Sequence, residues 1–201
     1  MKRITAALTV LFALALGASV AGAQQLSLGQ ITTYLNSMRA AEARFVQANP
    51  DKTLAQGVLY IQKPGKIRYE YTTPADSLVI SDGRMLGVFD KKSNRGAQRY
   101  DLKRTPLDIL LRDQINLEAA GVVRNISSDG VKTQVIATDP DNPRVGTITM
   151  VFTANPIELR QWIVTDRSGK NTTVILNDLA VRSGINADLF DIRKAEAALR
   201  R

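Results

Sequence analysis

The sequence predicts a mainly β, antiparallel fold, and three observations carry that reading. Ile67, Tyr69 and Tyr71 alternate with Lys66, Arg68 and Glu70, the two-residue period of a strand buried on one side. Pro64-Gly65 before this run and Asp82-Gly83 beyond it are hairpin turn signals. Short strand-like runs then recur along the chain, separated by Asn94-Arg95-Gly96, Asp129-Gly130 and Ser168-Gly169. Such spacing belongs to a barrel, a sandwich or a strongly curled sheet. No strand–helix–strand repeat occurs, which excludes the parallel nucleotide-binding folds.

Taken in order, the elements begin with a segment set apart from the fold. Lys2 and Arg3 precede the apolar run Ile4–Leu16, and Ala21-Gly22-Ala23 supplies small residues, so residues 1–23 read as a signal peptide cleaved after Ala23. An apolar run of about 13 residues is short of the roughly 20 that span a bilayer. Residues 24–201 are expected to form a single domain, exported to the periplasm. Ser27 with Gln30 fits a capping box, and Leu28, Ile31, Leu35 and Met38 follow at helical spacing.

Strands are expected over Arg44–Ala48, Gly57–Gln62, Lys66–Tyr71, Ser77–Ser81, Met85–Asp90 and Gln98–Leu102. The later ones are Val122–Ser127, Lys132–Thr138, Thr147–Phe152, Leu159–Thr165 and Asn171–Ala180. Between the two sets, Thr105-Pro106-Leu107-Asp108 opens a helix, with Thr as cap, Pro at the first position and Asp in the first turn. Asp139–Val145 reads as a loop, and Arg193–Arg201 as a short charged helix or frayed end.

The chemistry excluded is as informative as the fold. The chain has no Cys and no His, so disulfides, Ser-His-Asp and Cys-His systems and the usual zinc sites are absent. Glu42, Glu70, Asp76, Asp82, Asp108 and Glu118 are the carboxylates from which a glycosidase-like pair would be drawn. Asp82 is explained by its turn, Asp108 by its helix start and Glu70 by the solvent side of its strand, so an enzyme is not expected. Nor is a metal or other cofactor. Net charge is +8, and the basic residues are scattered singly with no nucleic-acid-binding motif among them. They read as a solvated surface, or as a docking face for acidic proteins or anionic lipid headgroups. No nucleic acid partner is expected.

What remains is apolar surface. Ile67, Tyr69, Tyr71, Leu78, Ile80, Met85, Phe89, Met150, Phe152 and Trp162 come from strands; Leu35, Met38, Leu107, Leu110 and Leu111 come from the two helices. A curled sheet closed by two helices makes a cup with a lid, a shape suited to apolar ligands. An ordinary packed core gives the same composition.

The order of these features resembles the periplasmic outer-membrane lipoprotein carrier family, LolA. The resemblance rests on Ile61–Gly83, on Thr105–Leu111, on Phe45 and Gln47 before the Gly57 strand, and on Phe190, and covers Leu26 to Ile192. It implies an unclosed antiparallel β-barrel of about 11 strands with helices as a lid over a hydrophobic cavity. It also implies a monomeric chaperone that takes the acyl chains of outer-membrane-directed lipoproteins. The donor would be an inner-membrane lipoprotein-releasing ABC transporter, and the acceptor an outer-membrane receptor lipoprotein. A carrier or sensor of another acylated ligand, such as a glycolipid, on the same fold is the alternative. At about 0.8 kcal/mol per methylene, three chains of about 15 methylenes carry roughly 36 kcal/mol gross, above the ~20 kcal/mol ceiling of non-covalent affinity. A cavity little worse than membrane is therefore what delivery requires. Where the family has an arginine before the turn proline as lid latch, this chain has Lys63, which lacks the planar fork. Where the family often has Phe and Trp on the next strand, it has Ile67 and Tyr69.

Overall fold

The computed structural model describes residues 25–74, 77–90 and 96–199. The signal segment with its cleavage point after Ala23, the carboxylate Asp76 and most of the turn Asn94-Arg95-Gly96 lie outside the described residues. One sheet holds β1 (Ala40–Ala48), β2 (Leu54–Gln62), β3 (Lys66–Thr73), β4 (Ser77–Asp82), β5 (Met85–Asp90) and β6 (Gln98–Asp101). It continues with β7 (Val123–Ser128), β8 (Lys132–Ala137), β9 (Gly146–Thr153), β10 (Glu158–Asp166) and β11 (Asn171–Arg182).

Neighbouring strands are antiparallel throughout, in the order β6-β5-β4-β3-β2-β1-β11-β10-β9-β8-β7. The edges β6 and β7 do not pair, so the barrel is unclosed. This order determines where a lid must lie. The chain meanders outward from β1 to β6, then returns from β7 to β11 beside β1. One connection, residues 102–122, has to travel from one edge to the other. It carries a 3-10 turn, Leu102–Arg104, and the helix α2 (Leu107–Leu111).

Most strand boundaries fall within two residues of the predicted ones. The largest difference is β1, which starts at Ala40 because Ala40 pairs with both Gln62 and Arg182. Pairing on two sides overrides the weak strand preference of alanine. Helix α1 (Leu28–Ser37) starts at the capping box, with Gln30 N–H on Ser27 Oγ at 3.2 Å and Ser27 N–H on Gln30 Oε1 at 2.9 Å. Thr105, in contrast, does not cap α2; its hydroxyl donates to Leu102 O at 2.8 Å. Within Asp139–Val145, Pro143–Val145 is a 3-10 turn rather than loop, and the tail forms α3 (Ile192–Leu199).

Around β4 and β5 the sheet is buried on both faces, and this corrects the predicted cavity wall. Cross-strand partners share a face, and Tyr69 pairs with Val79 while Leu78 pairs with Glu70. Leu78, Ile80, Met85 and Phe89 therefore lie on the face opposite Ile67 and Tyr69. They form a second cluster with Phe190 and Ile192, under α3. Leu78-Val79-Ile80 is apolar at three consecutive positions, so both faces of β4 carry an apolar side chain and only the β3–β4 register could say which face turned inward.

Candidate functional site

The inner face of the sheet and the segments lying on it form the candidate site. Leu35, Met38, Ile67, Tyr69, Leu107, Leu110, Leu111, Met150, Phe152 and Trp162 meet there in one cluster, and Tyr71 packs against it. Phe45, Leu59, Ile61, Ile115, Val135, Leu159, Val174 and Leu176 belong to the same cluster and were not assigned to the cavity from the sequence. For Val174 and Leu176, two-residue alternation along β11 was the available signal. For Ile115, in an irregular segment, there was none.

The bed divides into an aliphatic part and an aromatic corner. On β1 and β3, Phe45 stands edge-on to Tyr69 and Tyr71 with ring centroids 5.4 and 5.2 Å away. Tyr34 of α1 stands edge-on to Phe152 at 6.1 Å, and its hydroxyl accepts the Leu159 N–H at 3.1 Å. Burial raises the pKa of Tyr34, holds that of Tyr69 well above the ordinary value and pushes Tyr71 up to about 12. These phenols stay neutral and act through hydrogen bonds.

Two helices close the bed, and both are tied to the β2–β3 turn. Lys63 Nζ donates to Leu35 O at 2.6 Å. Leu35 lies in the last turn of α1, which has no basic residue of its own. A cation supplied from the β2–β3 turn thus meets the negative end of that helix. Two residues on, Gly65 N–H donates to Leu111 O at the end of α2, at 2.8 Å. Gly65 has φ +71°, and a Cβ there would stand 2.7 Å from the Gly83 backbone, so no side chain fits.

Further ties bind the lid to itself and to the sheet. Asn36 acts as a backbone surrogate, exchanging two 2.9 Å hydrogen bonds with the N–H and C=O of Ile115. Arg39 pairs with the Asp113 carboxylate and donates to its carbonyl at 2.8 Å. Arg112 holds Asp108 at 3.0 Å and Asp139 at 3.3 Å, joining α2 to the β8–β9 connection.

Lys63 is the electrostatic exception in this region. It is 5% exposed, and burial, with the Arg39 cation adding to it and Asp113 opposing, lowers its pKa to about 8. Outside the bed, a groove of about 580 Å³ runs between β3–β4 and α3. Its charges are spent on one another, Arg68 with Glu70 and Lys194 with Asp188. Among the described residues no group of three or more acidic side chains is placed to hold a metal ion, and no helix is long and apolar enough to cross a membrane.

An unclosed barrel with a helical lid over an apolar bed defines a class of carrier folds, and sequence comparison places the chain within it. The family model described as "Outer membrane lipoprotein carrier protein LolA" matches residues 36–193, and the chain belongs to that family. An outer-membrane lipoprotein carrier protein of Cupriavidus necator is 27% identical over 89% of both chains. One from Pseudoalteromonas translucida is 26% identical over 98% of this chain and 95% of its own. A solved LolA superfamily protein of Nitrosomonas europaea covers 83% of this chain and 98% of its own at 12% identity, a loose likeness with a TM-score of 0.44.

Proposed function

We propose that this protein is a periplasmic carrier that holds the acyl chains of lipoproteins against the inner face of its sheet. It receives them from an inner-membrane ABC transporter and passes them to an outer-membrane receptor lipoprotein. It does so without catalysing a reaction. One observation carries the reading: Leu35, Met38, Leu107, Leu110 and Leu111 of the lid lie on the bed with exposures of 7% or less. These side chains stand where acyl chains would lie, as an intramolecular competitor for the same surface. The residues of the bed itself were expected from pattern and resemblance; their packing under the lid supports assigning them to the acyl site.

The energetics suit transfer. Uncovering five such side chains costs about 10 kcal/mol gross at roughly 1.5–3 kcal/mol each. That cost is deducted from acyl burial on loading and returned on release. The carrier is thereby kept from holding its cargo irreversibly, and the closed lid completes each delivery. Lys63, at the junction of α1 with the turn, is the latch in this scheme.

A transfer assay tests the proposal. Purified protein is incubated with vesicles carrying a triacylated lipoprotein and its releasing transporter, then with receptor-bearing vesicles. A soluble one-to-one complex that empties onto the receptor is expected. Failure to accept lipoprotein while a glycolipid copurifies from the periplasm would replace lipoprotein by glycolipid as the cargo.

A further inference from the structure

Cations scattered along the sequence are partly gathered by the fold. The β2–β3 and β4–β5 turns lie against each other: a Cβ on Gly65 would stand 2.7 Å from Gly83 Cα, and Lys66 is opposite Asp82 in the β3–β4 ladder. Leu102 N–H donates to Arg84 O at 2.8 Å, which brings the 3-10 turn Leu102–Arg104 to the same end of the sheet. Lys66, Arg84, Lys103 and Arg104 share that end, and none of them forms an ion pair among the described residues. Arg39, Arg112 and Arg182 nearby are engaged with Asp113, with Asp108 and Asp139, and with Glu42. The two carboxylates of the patch serve the backbone instead. Asp82 accepts the Arg84 and Met85 N–H at 2.9 and 2.8 Å, and Asp101 accepts the Lys103 N–H at 3.0 Å. Four cations against two carboxylates leave two positive charges in excess.

We propose that this end of the sheet docks on a membrane surface through anionic lipid headgroups. Its four free cations stand on turns and a 3-10 segment, and can meet phosphates without giving up a partner in the fold. A protein partner would ask for an apolar centre as well as charge. Among the described residues of these segments, Tyr100 is the one large apolar side chain exposed, at 49%, and its hydroxyl donates to Gln98 Oε1 at 2.9 Å. A single ring with a polar tip suits the headgroup layer instead. Two charges in excess raise partition onto an anionic bilayer by about 30-fold, weak enough to stay reversible. The same end carries ties of the lid, Gly65 N–H to Leu111 O and Lys63 Nζ to Leu35 O, so a docked molecule turns the junction of lid and sheet toward the bilayer. The patch lies outside the bed and needs no cargo to act.

The test is cosedimentation of purified protein with lipoprotein-free vesicles, of phosphatidylcholine alone or mixed with phosphatidylglycerol. At low salt wild type is expected to bind the anionic vesicles about 30-fold better, and high salt should abolish the difference. The double variant Lys103→Gln, Arg104→Gln should bind the two kinds of vesicle about equally. A control, Arg124→Gln with Lys170→Gln, removes the same charge from exposed positions at the opposite end of the sheet and should keep the preference. Equal loss in the two variants would reduce the effect to net charge and overturn the patch. Absence of any preference in wild type overturns it too, whichever way the lipoprotein transfer assay comes out. So does soluble polyglutamate that binds this end more tightly than the anionic vesicles do, which would assign the end to an acidic protein.

Discussion

At the scale of single residues, Lys63 has the most to report. Its folded pKa of about 8 lies below the 10.5 of an exposed lysine. The sign follows from proton counts: between those two values the uncovered amine binds more protons than the buried one. Raising pH through that window therefore favours the closed, folded form, and lowering it toward 8 removes the advantage. Between pH 7.5 and 10 the change amounts to about 2 kcal/mol. Stability of wild type minus that of Lys63→Met, from urea midpoints at the two pH values, should move by that amount, because other titrations cancel. Acyl affinity should fall over the same window in wild type and stay level in the variant. The variant also leaves Leu35 O without its hydrogen-bond donor. A weaker latch raises the open fraction, so cargo should bind about ten-fold tighter and leave correspondingly more slowly. An unchanged dissociation rate would remove Lys63 from the latch role. Gly65→Ala acts on the other tie: with φ +71° and the Gly83 backbone 2.7 Å from any Cβ, it should cost about 2 kcal/mol or more of stability.

At the scale of elements, the cluster under α3 and the lid over the inner face make opposite predictions. Ile80→Ala opens a hole in the cluster beneath α3 and should cost about 2–5 kcal/mol on chemical unfolding, with acyl affinity unaltered. Leu110→Ala also removes a fully buried side chain, but from the lid, so lost stability should come with tighter cargo binding. If Ile80→Ala altered acyl affinity and Leu110→Ala left it unchanged, the faces would have been assigned the wrong way round. The difference between them also marks how far sequence pattern reaches. All eleven strands, the capping box and the helix after Pro106 were legible, because period, cap chemistry and turn residues act locally. The face of Leu78 and Ile80 was not, because it depends on parity across the β3–β4 connection and on a C-terminal helix far along the chain covering the outside. Of the lid ties, Lys63 was legible through family resemblance, since a lysine beside a turn proline says nothing by itself. Asn36 was not legible at all: its partners are backbone groups of Ile115 in a segment without regular structure.

At the scale of the whole molecule, topology divides the hydrogen bonds into two populations. β1 sits between β2 and β11, and each of those is paired again on its far side, so opening β1 means opening the sheet. The ties of the lid are different in kind. Gly65 N–H to Leu111 O joins the 102–122 connection to the β2–β3 turn, and Ile115 N–H to Asn36 Oδ1 and Leu117 N–H to Thr32 Oγ1 join it to α1, all through single side-chain or turn contacts. A lid can therefore lift at a free energy well below that of global unfolding. Native-state hydrogen exchange should separate the two: Val46 and Phe45 amides exchanging by global unfolding, those of Gly65, Ile115 and Leu117 by a smaller opening. Saturating acyl ligand should lower protection at the second group, because the lid then stands away from the turn, and leave the first group as slow or slower. Were Gly65 and Ile115 to become more protected in the complex, the chains would have to enter with the lid still tied down, and the competition between lid leucines and cargo would not be what sets the affinity.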